Sequence, residues 1–173
     1  MFRACFPIFY NRNIPDDIMK KHSKIAQNPM FDKEEGFCDK RLPERREAFQ
    51  EFKWVGGPVN TQVINVYDGD TVKLGFKMKG ELMSISGRLK GIDTPELRTK
   101  DPKEKEEAER ARKILDDLIG GQKVTTWFAG NDKYGGRSLV HLYVYKNGWI
   151  DVSDYMLKNA PCRAYDGGKK EAW

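Results

Sequence analysis

The fold of this chain is decided by one stretch, residues 68–96, which reads DGDTVKLGFKMKGELMSISGRLKGIDTPE. In its first half Val72, Leu74 and Phe76 alternate with lysine, threonine and glycine. This period of two is typical of a half-buried strand. Residues 79–80, a lysine and a glycine, offer a turn. The stretch therefore predicts a β-hairpin.

The same hairpin predicts that two distant aspartates meet. In its second half Met83, Ile85 and Leu89 alternate with polar residues, as expected for a second strand. Because an antiparallel pair brings the start of one strand beside the end of the next, Asp70 and Asp93 should be spatial neighbours. Converging carboxylates repel each other unless a cation lies between them. This end of the hairpin therefore predicts a site for a metal ion and a phosphate.

The rest of the chain divides into an extension and a strand-rich domain. Residues 1–57 hold scattered prolines and no sustained alternation, so we expect an N-terminal extension, partly irregular or helical, with a short helix over residues 42–52. Residues 58–173 form the expected domain. Within it, Asp101 as N-cap, followed by a proline, predicts a helix that ends at residues 120–121.

The remaining pattern of the domain is mostly β. About five strands and one inserted helix predict a mainly β, α+β fold, a five-stranded OB-fold Greek-key barrel with flanking helices. The further predicted elements are strands at residues 63–66, 122–128 and 139–145, a loop at 130–137 and a short helix at 151–158.

Composition narrows the class of protein. The net charge of +5 and pI of about 9.0 suit a polyanionic partner, and equally suit ordinary solubilising charge. Three cysteines at no metal-ligand spacing predict reduced thiols in an intracellular protein rather than a disulfide framework. The apolar start is short and interrupted by Pro7, so it makes a poor signal peptide, and no run is long enough for a transmembrane segment.

The residue types at the hairpin end favour a hard cation. Ca²⁺ takes oxygen ligands, which Asp70, Asp93 and a main-chain carbonyl near Thr94 would provide. The spacing is not that of an EF-hand loop. With His22 and His141 as the two histidines of the sequence, a zinc site is disfavoured.

Two arginines are candidates for phosphate binding. A phosphodiester attacked by water develops negative charge on its equatorial oxygens, so it needs fixed positive charge nearby. Arg88 has the parity of the polar face of its strand, and Arg137 follows a glycine-rich loop. A guanidinium holds two phosphate oxygens at once. The alternative for either arginine is an ordinary surface charge with no role in phosphate binding.

Three motifs in consistent order closely resemble the staphylococcal nuclease (thermonuclease-like) family. They are DGDTVKL at residues 68–74, RLKGIDTPE at 88–96 and DKYGGR at 132–137. The resemblance covers roughly residues 59–168. It implies an OB-fold barrel and a Ca²⁺-dependent phosphodiesterase acting on DNA and RNA, and we expect a monomer.

By matching position, the resemblance also implies individual roles. The implied metal ligands are Asp70, Asp93 and the carbonyl of Thr94, with Asp68 close behind them. The implied catalytic residues are Glu96, which positions or deprotonates the attacking water, and the phosphate clamps Arg88 and Arg137. The implied substrate-binding residues are Lys133, Tyr134 and Tyr165.

One departure from the family and two alternative functions stay open. The family runs Tyr-Gly-Arg, whereas this chain has an inserted Gly136 that bears on where Arg137 lies. Some domains of the family have lost catalysis and serve as modules that bind nucleic acid or protein. A purely structural barrel is the third alternative, and it leaves the convergence of carboxylates unexplained.

Overall fold

A computed structural model describes residues 14–23, 55–78, 80–133, 136–168 and 173 of the chain. The strands are β1 (Val55–Val66), β2 (Thr71–Met78), β3 (Glu81–Leu89), β4 (Gly91–Asp93), β5 (Lys123–Asn131), β6 (Ser138–Tyr145), β7 (Trp149–Asp151) and β8 (Arg163–Tyr165). The helices are α1 (Asp16–Lys21), α2 (Pro102–Ile119) and α3 (Val152–Asn159). The helix predicted over residues 42–52 lies outside the described residues.

Five strands close into a barrel. The sheet runs β3-β2-β1-β5-β6-β7, and a parallel pairing of β3 with β6 joins its two sides. The predicted α+β OB-fold barrel with flanking helices is confirmed. Buried aliphatic side chains from the strands, α2 and α3 fill its core, among them Val63, Leu74, Leu89, Leu115, Ile119, Val140 and Met156.

The predicted hairpin and the main helix form as their local patterns indicate. β2 and β3 pair antiparallel without interruption, with Thr71 opposite Arg88. At the start of α2, Asp101 accepts a hydrogen bond from the Lys103 N–H at 2.9 Å, and proline occupies the first turn. The predicted short helix also forms as α3, capped by Asp151.

Several elements differ from the sequence prediction, among them β7 and α1, which the pattern did not predict. β5 continues to Asn131, two residues into the predicted loop, and β1 starts at Val55 rather than at residue 63. After Asn159 the pattern predicted no regular structure, yet β8 forms and pairs with β4. A strand of three residues is too short to show a period, so its partner 70 residues away decides it. The domain boundary at residue 58 stays a prediction.

Helix α1, from the expected extension, packs on the outside of the barrel. His22 is buried, and its Nε2 lies 2.7 Å from the hydroxyl of Tyr143. Its ring stacks on Trp127 at 4.8 Å and lies 4.6 Å from the ring of His141. Lys21 is 2.7 Å from Asp151.

Within the described residues, no helix is long and apolar enough to cross a membrane.

This histidine pair predicts acid sensitivity of the fold. Burial, and next the charge of His22, lower the pKa of His141 from 6.5 to about 4. As the pH falls from 6.5 towards 4, His141 therefore binds a proton in the unfolded chain but stays neutral in the folded chain. The free energy of unfolding decreases across that pH range. We expect His141→Gln to be less acid-sensitive than wild type. Urea unfolding at pH 7, 5.5 and 4.5 measures this, and a constant difference between the two proteins contradicts it.

Other charges also surround His141, so only the difference between the two proteins is informative. The nearby charged and titratable groups are His22, Lys90, Asp151 and Lys21. Because all of them remain in His141→Gln, the difference between the two proteins reports the titration of His141 together with its coupling to His22.

Candidate active site at the end of the hairpin

The turn between β1 and β2 packs tightly against the segment that follows β4. The Asp68 carboxylate accepts a hydrogen bond from the Asp70 N–H at 3.1 Å, which holds the turn. A Cβ atom at Gly69 would lie 2.8 Å from the Cβ of Ala111 and 2.9 Å from the side chain of Thr94. Glycine is needed here because any side chain would push the turn away from Thr94.

Arg88 links the two aspartates of the predicted site. Its Nη1 donates to Asp70 Oδ1 at 2.8 Å, and its Nη2 lies 2.6 Å from Asp70 Oδ2. The same Nη2 donates to Asp93 Oδ1 at 3.2 Å. Asp70 and Asp93 are 2% and 0% exposed. The structure therefore brings these two carboxylates together, as the hairpin predicted.

Arg88 is buried although it lies on the polar face of β3. Its guanidinium lies between Asp70 and Asp93, two side chains that are themselves almost inaccessible to solvent. A buried guanidinium is tolerated when carboxylates and hydrogen bonds surround it. The alternation in sequence predicts the face on which Arg88 lies, but not that Asp70 and Asp93 surround its guanidinium.

Arg137 is connected to Asp70 through the hydroxyl group of Thr71, despite the inserted glycine. Its Nη1 donates to Thr71 Oγ1 at 3.1 Å, and that hydroxyl donates to Asp70 Oδ1 at 2.8 Å. Its Nε and Nη2 both donate to Asp132 Oδ2, at 3.1 and 2.7 Å. Gly136 is exposed, and an added Cβ there meets nothing within 4 Å.

A third arginine, Arg163, belongs to the same cluster, although the sequence pattern did not predict it. It lies directly opposite Asp93 in the β4–β8 pair, and its Nη2 donates to Asp93 Oδ2 at 3.2 Å. One feature of the sequence pointed to it. Arg163 stands two residues before Tyr165, a predicted substrate-binding residue, and residues two apart in a strand lie on the same face.

The remaining predicted site residues are Glu96, Lys133, Tyr134 and Tyr165. Glu96 is exposed on the segment after β4, and its N–H donates to Glu104 Oε1 at 3.2 Å. Lys133 is exposed, while Tyr134 lies outside the described residues. The Tyr165 hydroxyl donates to the Gly168 carbonyl at 2.8 Å.

Burial dominates the electrostatics of the cluster. It raises the pKa of Asp70 to about 7, against the opposing effect of Arg88. Burial also raises the pKa of the Cys162 thiol to about 12, and Asp70 and Asp93 add to that effect. A nearby cation would favour the charged form of such a carboxylate. Within the described ranges, no group of three His, Cys, Asp or Glu side chains is arranged to hold a metal ion.

The donor set nevertheless fits a hard cation in kind. Asp70 and Asp93 offer carboxylate oxygens, which Ca²⁺ prefers, and both are already paired with positive charge in the form of Arg88. Two carboxylates alone are fewer ligands than Ca²⁺ takes, so main-chain carbonyl oxygens and water would have to complete the set.

Residues 86–171 match the family model for staphylococcal nuclease homologues. These residues belong to the staphylococcal nuclease family. The resemblance predicted from the three motifs is thereby confirmed, and with it a relationship to nucleases. The match includes Arg88, Asp93, Arg137 and Arg163, whereas Asp70 precedes it. Comparison with curated proteins returned no match to the chain.

Proposed function

We propose that this nuclease-family domain hydrolyses phosphodiester bonds of DNA, RNA or both, and that it requires Ca²⁺. The observation that supports the proposal most strongly is the buried cluster in which Arg88 pairs with both Asp70 and Asp93. Two carboxylates and a guanidinium at one end of a barrel provide opposite charges for a cation and for a phosphate.

The proposed roles follow from charge and position. Asp70, Asp93 and the carbonyl of Thr94 would hold the Ca²⁺ ion, which would offset the negative charge that develops on the phosphate. Arg88 and Arg137 would hold phosphate oxygens. Asp68 would keep the turn in place through its bond to the Asp70 N–H.

Digestion assays test the proposal directly. Plasmid, single-stranded DNA and RNA are each incubated with the protein in Ca²⁺, in Mg²⁺ and in chelator. We expect cleavage in Ca²⁺ that chelator abolishes. Cleavage that persists in chelator refutes the cation requirement, and no cleavage of any substrate under any of the three conditions refutes the nuclease assignment.

A module that binds nucleic acid without cutting it is the second candidate. The specific observation in its favour is that Arg88 occupies the oxygens of both aspartates, while the described residues contain no cluster of three potential metal-binding side chains. Retention of labelled DNA in a mobility-shift assay, together with intact substrate after digestion, would identify this function.

Glu96→Gln separates a catalytic role of this glutamate from a structural one. The amide keeps the shape of the side chain but cannot accept the proton of an attacking water. General acid–base help is typically worth about 10²- to 10⁴-fold, so we expect turnover to fall by that range with KM little changed. Steady-state cleavage of a fluorescent oligonucleotide measures both. Glu109→Gln, on the exposed face of α2, is the matched control, and a Glu96→Gln rate within a few-fold of it would assign Glu96 no catalytic part.

Arg137→Lys tests the role of the arginine after the inserted glycine. Lysine keeps the charge but cannot reproduce the planar fork that holds two oxygens. We expect a fall of about 10²- to 10³-fold in single-turnover rate, comparable to the loss of one oxyanion donor. Gly136→Ala is the control, because a Cβ there meets nothing within 4 Å, and it should cleave at the wild-type rate. Equal rates for wild type and Arg137→Lys would remove Arg137 from the phosphate clamp.

A further inference from the structure

Arg163 has no part in the function proposed above, although it contacts a central residue of the site. Its Nη2 lies 3.2 Å from Asp93 Oδ2, and its side chain is 28% exposed, compared with 0% for Asp93. The guanidinium carbon lies 4.2 Å from the ring centroid of Trp173, a cation–π contact. The β4–β8 pairing places Arg163 directly opposite Asp93, so the main chain holds this arginine at the carboxylate.

Arg163 gives each oxygen of the Asp93 carboxylate a guanidinium partner. Oδ1 accepts from Arg88 and Oδ2 from Arg163, both at 3.2 Å. Asp70 pairs with the same Arg88, so two carboxylates and two guanidinium groups lie together. A cation that approached Asp93 Oδ2 would meet the charge of Arg163.

We propose that Arg163 is a positioning residue that holds Asp93 in the metal-free protein and thereby lowers the affinity of the site for divalent cations. The inference rests on the cation site of the proposed function. It states that a residue on β8 sets the affinity of that site for divalent cations. The reason is linkage: a positive charge that stabilises the metal-free carboxylate and repels the cation must weaken cation binding by the same free energy.

Replacing Arg163 would also make the Asp93 side chain more mobile, which opposes the effect of the lost charge on cation binding. Asp93 would lose one of its anchors, and a looser ligand binds a cation less well. Asp93 is fully buried in the short β4 strand, however, and Arg88 still holds its Oδ1. Its side chain therefore stays confined when Arg163 is replaced, and the change in charge should dominate the change in mobility.

The experiment compares cation binding by variants that differ in charge at this position. Arg163→Gln removes the charge but keeps an amide donor for Asp93 Oδ2, and Arg163→Lys keeps the charge. Arg110→Gln, at an exposed arginine of α2 paired with Glu107, is the matched control. Ca²⁺ affinity is measured by calorimetric titration, and the melting temperature is measured in chelator and in excess Ca²⁺.

We expect the Ca²⁺ dissociation constant of Arg163→Gln to fall by a factor on the order of 2 to 5, the size appropriate to a partly exposed ion pair. Its melting temperature in chelator should drop, and its rise on adding Ca²⁺ should exceed that of wild type. Arg163→Lys and Arg110→Gln should stay near wild type in both measurements. A structural role alone would lower the melting temperature equally with and without Ca²⁺.

An unchanged or weaker Ca²⁺ affinity in Arg163→Gln overturns the inference, as does tightening of equal size in Arg163→Lys. If Arg163→Gln is too unstable for calorimetry, its melting temperature as a function of Ca²⁺ concentration tests the same idea, because a ligand that binds more tightly stabilises the folded state more at each concentration. A Ca²⁺-dependent rise no larger than that of wild type then counts against the proposal.

Failure of this inference is distinguishable from failure of the proposed function. If wild type cleaves DNA with Ca²⁺ while Arg163→Gln binds Ca²⁺ no more tightly, the function stands and the role of Arg163 is wrong. If wild type cleaves nothing while Arg163→Gln binds Ca²⁺ more tightly than wild type, the role of Arg163 stands and the nuclease proposal is wrong.

Discussion

Replacing Asp93 with asparagine is expected to reduce Ca²⁺-dependent cleavage to background while leaving the barrel folded. Asparagine keeps the shape of the side chain and an oxygen that can accept from Arg88, at 3.2 Å in the wild-type protein. It removes the negative charge that would attract a cation. Because Asp93 is 0% exposed, no solvent is present to screen that loss. Cleavage of plasmid DNA in Ca²⁺ is the activity measurement, and circular dichroism checks the fold.

Asp70→Asn should have the same effect, since Asp70 also pairs with Arg88 and is nearly as buried. The matched control is Asp117→Asn, an exposed aspartate of α2 whose partner is Lys113 four residues earlier. We expect the control to cleave at the wild-type rate. Wild-type rates in both Asp93→Asn and Asp70→Asn would refute the proposal that these carboxylates hold the cation.

Replacing Arg88 with methionine is expected to cost stability as well as activity. Arg88 compensates two aspartates that are essentially buried, and its own side chain is 11% exposed. Removing one partner from a buried ion pair typically costs about 3–5 kcal/mol, because the charge left behind is uncompensated. We expect a fall of that size in the free energy of unfolding, measured by urea denaturation in chelator, and loss of cleavage in Ca²⁺.

Two comparisons separate this effect from ordinary loss of packing. Excess Ca²⁺ should recover part of the lost stability of Arg88→Met, because a cation can neutralise Asp70 and Asp93. The double variant Arg88→Met/Asp70→Asn should be more stable than Arg88→Met alone, since it removes one of the uncompensated charges. Arg110→Met provides the control for removing an exposed arginine. If Arg88→Met were as stable as Arg110→Met, the buried ion pairs would make no measurable contribution to the free energy of unfolding.

Local patterns in the sequence are sufficient for the hairpin and for α2. Val72 and Leu74 are fully buried while Lys73 between them is half-buried, as the period of two predicts. The cap at Asp101 forms because its side chain and the Lys103 N–H are only two residues apart. Each of these features depends on groups that are close along the chain, so the sequence contains the whole interaction.

The approach of Asp70 to Asp93 is the longest-range feature that could be predicted. It follows from the antiparallel register of one hairpin, in which Thr71 faces Arg88. The same reasoning does not reach Arg163, because β8 is three residues long and its pairing with β4 depends on how the whole domain folds. It likewise does not reach α1, whose packing relies on Trp127 and Tyr143 more than 100 residues later.

By itself, the sequence determined the family, the barrel class, the main helix and the meeting of two aspartates, because each is encoded by a local period, a cap or an ordered motif. Only the tertiary structure decided that Arg88 is buried, that Arg163 faces Asp93, and that Arg137 reaches Thr71 despite the inserted Gly136. The contacts of Arg137 and Arg163 depend on β6 lying beside β3 and on β8 pairing with β4, where neither strand of a pair carries a local signal for the other. Burial of the charged side chains is a property of the closed barrel, and it turns ordinary charged residues into a tightly coupled site.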